Sequence, residues 1–161
     1  MWFTKSGPFD AEVRGRFLPL WEAAARGELD RWRSAPLASL ALIVVLDQFP
    51  RNMFRGTPRA FSSDPMALAA ARSALERAFD RLLPPHERTF MYLPFEHAED
   101  LAAQRRALAL FEALDPNDLE YARRHYEIIA RFGRFPHRNA VLGRESTAEE
   151  VDFLKQPGSS F

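Results

Sequence analysis

The sequence predicts an all-α protein: an antiparallel helical bundle or helix-hairpin stack, with about six to seven helices. Three observations carry this. Apolar residues recur at helical spacing along most of the chain, no segment alternates as a strand does, and Asp, Pro and Gly fall where helices start and stop. Short turns between such helices favour antiparallel neighbours. No repeat of tetratricopeptide length is legible.

The first helix is expected over residues 9–26. Phe9, Val13, Phe17, Leu20, Trp21 and Ala24 recur on one face, and Gly27 follows as a stop. The second, over 36–48, starts on Pro36, a first-turn residue. Its run from Leu40 to Leu46 is apolar nearly all round, which marks a helix buried on most sides. Asp64-Pro65 reads as an N-cap with Pro at the first helical position, opening a helix to about residue 82. Pro84 and Pro85 break the chain. A short helix over 86–93 is expected to end at Pro94, and another runs over 96–114. Asp115-Pro116 repeats the cap logic and opens a helix to Phe132, with Gly133 as C-cap. Thr147-Ala148-Glu149-Glu150 is a capping box for a last short helix to about residue 155. Residues 156–161 form a Pro/Gly/Ser tail on what reads as a single domain over 1–161.

Composition bounds the function. The chain has 161 residues and 47% hydrophobic content, enough to bury a core. Lys+Arg and Asp+Glu are both 22, so the basic excess typical of nucleic-acid binders is absent. Only Lys5 and Lys155 are lysines; the other cations are arginines. Codon bias explains that choice, and so does a need for the planar, bidentate guanidinium fork. With no cysteine, disulfides, thiolate metal sites and Cys nucleophiles are excluded. The N-terminus lacks a signal-peptide core and no apolar run approaches the ~20 residues of a membrane span. A cytoplasmic protein without membrane contact is expected.

One short pattern recurs. Phe49-Pro50-Arg51-Asn52 is expected to end the buried second helix, and Phe135-Pro136-His137-Arg138-Asn139 follows the helix ending at Phe132. At a helix exit, Pro stops the helix, Phe staples the turn to the core, and Arg and Asn face carbonyls that lack partners. In the first corner Asp47 is a carboxylate on an apolar helix, costly unless paired, with Arg51 and Arg55 as nearby partners. This arrangement serves either as a salt-bridged corner or as an Arg pair aimed at an anion and oriented by Asp47. The second corner, Arg131 to Asn139 and on to Arg144, holds Arg134, His137 and Arg138 with no acidic residue before Glu145. Its Phe132 and Phe135 anchors imply a loop held in one shape, as a binding site requires.

Tyr92-Leu93-Pro94-Phe95-Glu96-His97-Ala98-Glu99 is the third feature. His97 titrates near neutrality when unperturbed, and an adjacent Glu tunes it. His97 with Asp100 alone is too unspecific for a metal site, so neither metal nor cofactor is expected. His86 and His125 fall in Arg- or Glu-rich stretches that read as surface. There is no phosphate-binding loop of the Walker type, no GxGxxG, no nucleophile elbow and no HExxH.

These same segments, Asp47 to Asn52, Tyr92 to His97, Arg131 to Asn139 and Gly143-Arg144-Glu145-Ser146-Thr147, resemble the bacterial domain-of-unknown-function family 924 over nearly the whole chain. The resemblance implies an all-helical, tetratricopeptide-like fold and no settled activity, so it transfers no catalytic residues. Members of that family usually carry a further helical segment with a Phe-Trp-Phe pattern ahead of the point where only Met1-Trp2-Phe3 stands here. That difference implies a shortened bundle whose first helix exposes an apolar face.

The leading functional expectation is a site for a small anionic ligand, of phosphate or carboxylate type. Arg51, Arg55, Arg134, His137 and Arg138 would supply positive charge, Asn52 and Asn139 would read polar atoms, and Asp47, Glu96 and His97 would line or orient the site. The alternatives are an enzyme using His97 or His137 as general acid-base, and a tetratricopeptide-like module binding a protein partner.

Overall fold

The computed structural model describes residues 6–160. The expectations placed on Met1-Trp2-Phe3 lie outside them. Among the described residues, seven α-helices account for the fold: α1 (Gly7–Ala25), α2 (Pro36–Met53), α3 (Asp64–Glu76), α4 (Pro85–Glu96), α5 (Leu101–Phe111), α6 (Pro116–Phe132) and α7 (Ala148–Leu154). Four 3-10 turns join them, and no strand occurs among the described residues. Among the described residues, no helix is long and apolar enough to cross a membrane. The chain divides into two compact units, Met1–Ala98 and Glu99–Phe161.

In the first unit α2 is the central helix and packs against α1, α3 and α4. Leu42, Ile43, Val45, Leu46, Phe49 and Met53 are all buried on it, each such side chain contributing about 1.5–3 kcal/mol of burial. α3, which packs against α2 and α4, buries the small side chains of Ala67, Ala70, Ala71 and Ala74. α1 contributes Val13, Trp21 and Ala24 to the core, and its Phe17 ring lies 4.7 Å from that of Phe49. None of the exposed large hydrophobic residues, Leu37, Leu82, Tyr121 and Val151, lies on α1. On that helix Phe9, Phe17, Leu18 and Leu20 are half-buried.

Two prolines do not stop helices as expected. Pro50 lies inside α2, which continues to Met53, and Pro94 lies inside α4, which continues to Glu96. A proline inside a helix removes the N–H that would bond the carbonyl four residues earlier. For Pro50 that carbonyl belongs to Leu46, and the buried Ser63 hydroxyl donates to it at 2.5 Å. The Trp21 indole N–H in turn donates to Ser63 Oγ at 3.1 Å. A side chain beyond the helix thus replaces the missing backbone donor. Ser63 occupies the N-cap position of α3 without capping it, and Asp64, expected to be the cap, is already helical. α3 also ends earlier than expected. It stops at Glu76, Ala78 takes a left-handed conformation (φ 56°), and a 3-10 turn covers Phe79–Leu82.

The second unit is built on the α5–α6 hairpin. Ile128, Ile129 and Phe135 form its core, with Leu101, Phe132 and Phe153 packed against them. Here local signals hold. Asp115 caps α6 through Asn117 N–H, Gly133 closes it in the left-handed region (φ 71°), and Thr147 and Glu150 form the capping box of α7. The helix expected over 96–114 begins instead at Leu101, because the Asp100 carboxylate accepts from the backbone of Ala102 and Ala103.

Candidate functional site

The polar cluster of the first unit is assembled on α2. Asp47 is 1% exposed on this largely apolar helix, so its carboxylate must be satisfied by protein groups. His97, the residue at the end of α4, supplies one: its Nδ1 lies 2.9 and 3.0 Å from the two carboxylate oxygens of Asp47. The Gln48 amide donates to Asp47 at 2.6 Å. Arg51, one turn along α2, approaches the carboxylate at 3.4 Å and donates to the Asp47 carbonyl at 2.6 Å. The same guanidinium grips Asp64 with two hydrogen bonds, 2.8 and 3.0 Å, fastening α2 to the start of α3. Its planar face also lies 5.7 Å from the Phe61 ring.

Electrostatics fix the protonation pattern. Burial raises the Asp47 pKa, but Arg51, His97 and the amide of Gln48 outweigh it and hold the carboxyl well below the usual carboxylate range. An ionised carboxylate only accepts hydrogen bonds, so His97 Nδ1 carries the proton and Nε2 carries the lone pair. Burial lowers the His97 pKa, and Arg51 works in the same direction against the attraction of Asp47 and Asp64. His97 is therefore a neutral, oriented imidazole at neutral pH. Glu96, one residue earlier, is buried on the last turn of α4.

The rest of the first corner points elsewhere. Arg55 does not pair with Asp47. It donates to Asp10, in the first turn of α1, at 2.8 and 3.0 Å, and the Asn52 amide donates to the same carboxylate at 3.0 Å. These contacts hold the Asp10 carboxyl below its ordinary pKa, with the Arg55 hydrogen bond as the main cause. The first Phe-Pro segment is therefore a continuous helix tied to α1 and α3, not an open helix end.

The second corner forms a cluster within the second unit. Arg134 donates twice to Glu150, at 2.7 and 2.8 Å, and once to the Glu145 carbonyl at 2.8 Å. Arg144 grips Glu99 at 2.6 and 2.9 Å and reaches the Asn139 side-chain oxygen and the Phe135 carbonyl. Glu99 also accepts the Phe135 backbone N–H at 2.7 Å. Asn139 is fully buried and donates to Ser146 and Glu150. The Phe135 ring carries the buried Arg138 guanidinium over its face at 4.5 Å, with the His137 ring 5.7 Å away. The edge of His125 meets the same ring at 5.5 Å. His125, expected at the surface, is buried, and its Nδ1 lies 2.9 Å from the Tyr121 carbonyl. The apolar face of α6 carries it inward. Glu150 is held at a pKa of about 2, chiefly by its hydrogen bond from Arg134. Glu99 is also depressed, since Arg144 and the Phe135 N–H outweigh its partial burial.

Sequence reasoning thus named Asp47, Arg51, Asn52, Arg55, Glu96 and His97, and the first unit draws Asp47, Arg51 and His97 into mutual contact. It named Arg134, His137, Arg138 and Asn139, which gather around Phe135 and Glu150 in the second. It missed Asp10, Asp64, Glu99 and Glu150 as the acids that receive these arginines. The local sequence around Asp64 and Glu150 signals capping alone. Asp10 lies 45 residues from Arg55 and carries no signal.

The fold and the polar clusters define a helical protein, strand-free among the described residues, whose two units each hold a set of buried or half-buried ion pairs. The chain belongs to the family described as "Bacterial protein of unknown function (DUF924)", which matches residues 1–158. It is similar to the solved structure of a protein of unknown function from Agrobacterium tumefaciens, with 48% identity and a TM-score of 0.93 over 96% of this chain and 88% of that one. No curated protein matches it.

Proposed function

We propose that the first unit carries an acid-base catalytic site in which His97 takes a proton from, and returns it to, a small polar substrate. The observation that supports this is the 2.9 Å contact between His97 Nδ1 and the buried Asp47. A carboxylate there orients the imidazole, directs basicity to Nε2 and stabilises the imidazolium formed when a proton is taken up. The depressed His97 pKa keeps the base unprotonated at neutral pH. Arg51, locked between Asp47 and Asp64, is a positioning residue that holds the dyad against α3.

The expectation of a small anionic ligand has less support. Arg51, Arg55 and Arg134 each face a carboxylate at hydrogen-bond distance, so an anion would have to displace an acid already in place. Around His97 the acids Asp47 and Asp64 face one arginine, leaving no positive surplus. A protein-interaction role rests on the helical fold alone, which is weak warrant.

Two measurements test the acid-base reading. The ¹⁵N shifts of His97 at pH 7 should show a neutral ring protonated on Nδ1; an imidazolium, or a proton on Nε2, refutes it. In a panel of esters, amides and phosphoesters, any turnover by the wild type should fall about 10²-fold or more in His97→Gln and Asp47→Asn while the helical circular dichroism persists. Turnover unchanged in both variants also refutes it.

A further inference from the structure

We infer that the first unit binds a small apolar organic cation, a primary amine on a hydrocarbon chain, in a groove separate from the His97 site. The groove lies between the start of α2 and the start of α4, lined by Ala35, Pro36, Leu37, Leu82, Leu83 and Pro84, with Glu87 as its one charged residue. Its volume is about 470 Å³, within the roughly 300–1,000 Å³ range of small-molecule sites. Leu37 and Leu82 at its margin are 64% and 71% exposed, whereas the neighbouring Leu83 is 4% exposed. Two leucines left open beside an apolar hollow are an unfavourable arrangement that a hydrocarbon would relieve.

Charge selects the head group. Glu87 Oε2 is shielded from solvent and accepts no hydrogen bond, a state that costs free energy for any carboxylate oxygen. Beside it the His86 Nε2 lies 3.9 Å from Oε1, on a side chain that is 80% exposed. Arg88 turns away and donates to the Leu83 and Arg81 carbonyls. The terminal torsion of Glu is soft, so a small rotation presents a carboxylate oxygen to the groove. An ammonium offers three donors and a full positive charge to meet it, while its hydrocarbon chain covers the leucines. A carboxylate ligand would be repelled by Glu87, and an alcohol would supply one weak donor without charge.

The test is titration of the full chain with n-hexylammonium, n-hexanol and hexanoate, followed through the methyl resonances of Leu37 and Leu82. The amine should shift both leucines saturably, at least tenfold more tightly than the alcohol, with no response to hexanoate. Glu87→Gln should bring the amine to the level of the alcohol, and Leu82→Ser should weaken amine and alcohol alike, with the melting temperature of each variant confirming its fold. Equal binding of amine and alcohol, indifference to Glu87→Gln, or unmoved leucine methyls would overturn the assignment. His97→Gln should leave all these titrations unchanged, which separates this groove from the acid-base site.

Discussion

Ser63 shows how much one hydroxyl can hold. It accepts from the indole of Trp21 and donates to the Leu46 carbonyl exposed by Pro50. Ser63→Ala leaves both groups buried and unsatisfied. A loss of about 2 kcal/mol is expected, a fall of roughly 4–8 °C in melting temperature for a chain of this size, measurable by circular dichroism. His97 makes a second residue-scale prediction. Its folded pKa lies below its unfolded value, so below about pH 6.5 the unfolded chain binds a proton that the folded chain refuses. Stability should decline as the pH falls through that range, and His97→Gln should flatten this part of a melting temperature-pH profile. A profile unaffected by the substitution would mean that His97 titrates alike in both states.

The helices show where sequence reading succeeds and where tertiary structure overrides it. The caps at Asp115 and Thr147 were legible because both partners lie within one turn. Pro50 and Pro94 signal stops in the sequence because a proline inside a helix is unfavourable on local grounds, and for Pro50 the compensating Ser63 lies 17 residues from Leu46. Asp64 looked like a cap because its partner, Arg51, comes from another helix. This compensation predicts a coupling. Pro50→Ala restores a backbone donor for Leu46, so Ser63→Ala should cost less in that background, with about 1 kcal/mol of non-additivity in a double-mutant cycle. Additive effects would show that Ser63 acts independently of the missing N–H. In the second unit, Glu99 anchors the segment after α6 through Arg144 and the Phe135 N–H. Glu99→Ala should raise proteolytic cleavage between residues 133 and 147 several-fold, as read by limited proteolysis. An unchanged digestion pattern would mean that Arg134 and Glu150 suffice to hold that segment.

Across the molecule, helical content and the buried role of α2 were readable from periodicity, because one residue type repeated at the right spacing settles both. The ion pairs were readable only in part. Charged residues could be listed, but which acid meets which arginine depends on helix packing that a linear pattern does not contain. The outcome is that several acids in each unit are already matched. Asp10, Asp47, Glu99 and Glu150 are all held below their ordinary pKa values. For such groups the unfolded state binds protons first as pH falls, so stability present near neutrality is lost on acidification below about pH 4.5. A second, steeper decline should therefore follow the one from His97 in the melting temperature-pH profile. A profile flat from pH 5 down to pH 3 would contradict the depressed carboxyls.

All three tryptophans, Trp2, Trp21 and Trp32, precede Ala98, whereas Glu99–Phe161 holds Tyr121 and Tyr126 and none of them. Indole emission therefore watches the first unit alone, while peptide circular dichroism watches both. Heating or denaturant followed in the two channels asks directly whether the halves melt as a single cooperative body: coincident curves mean that they do, and displaced curves assign a separate midpoint to each. Because the chain contains no cysteine, one thiol placed at an exposed position of the second unit would give that half its own optical label without removing any native residue of this type.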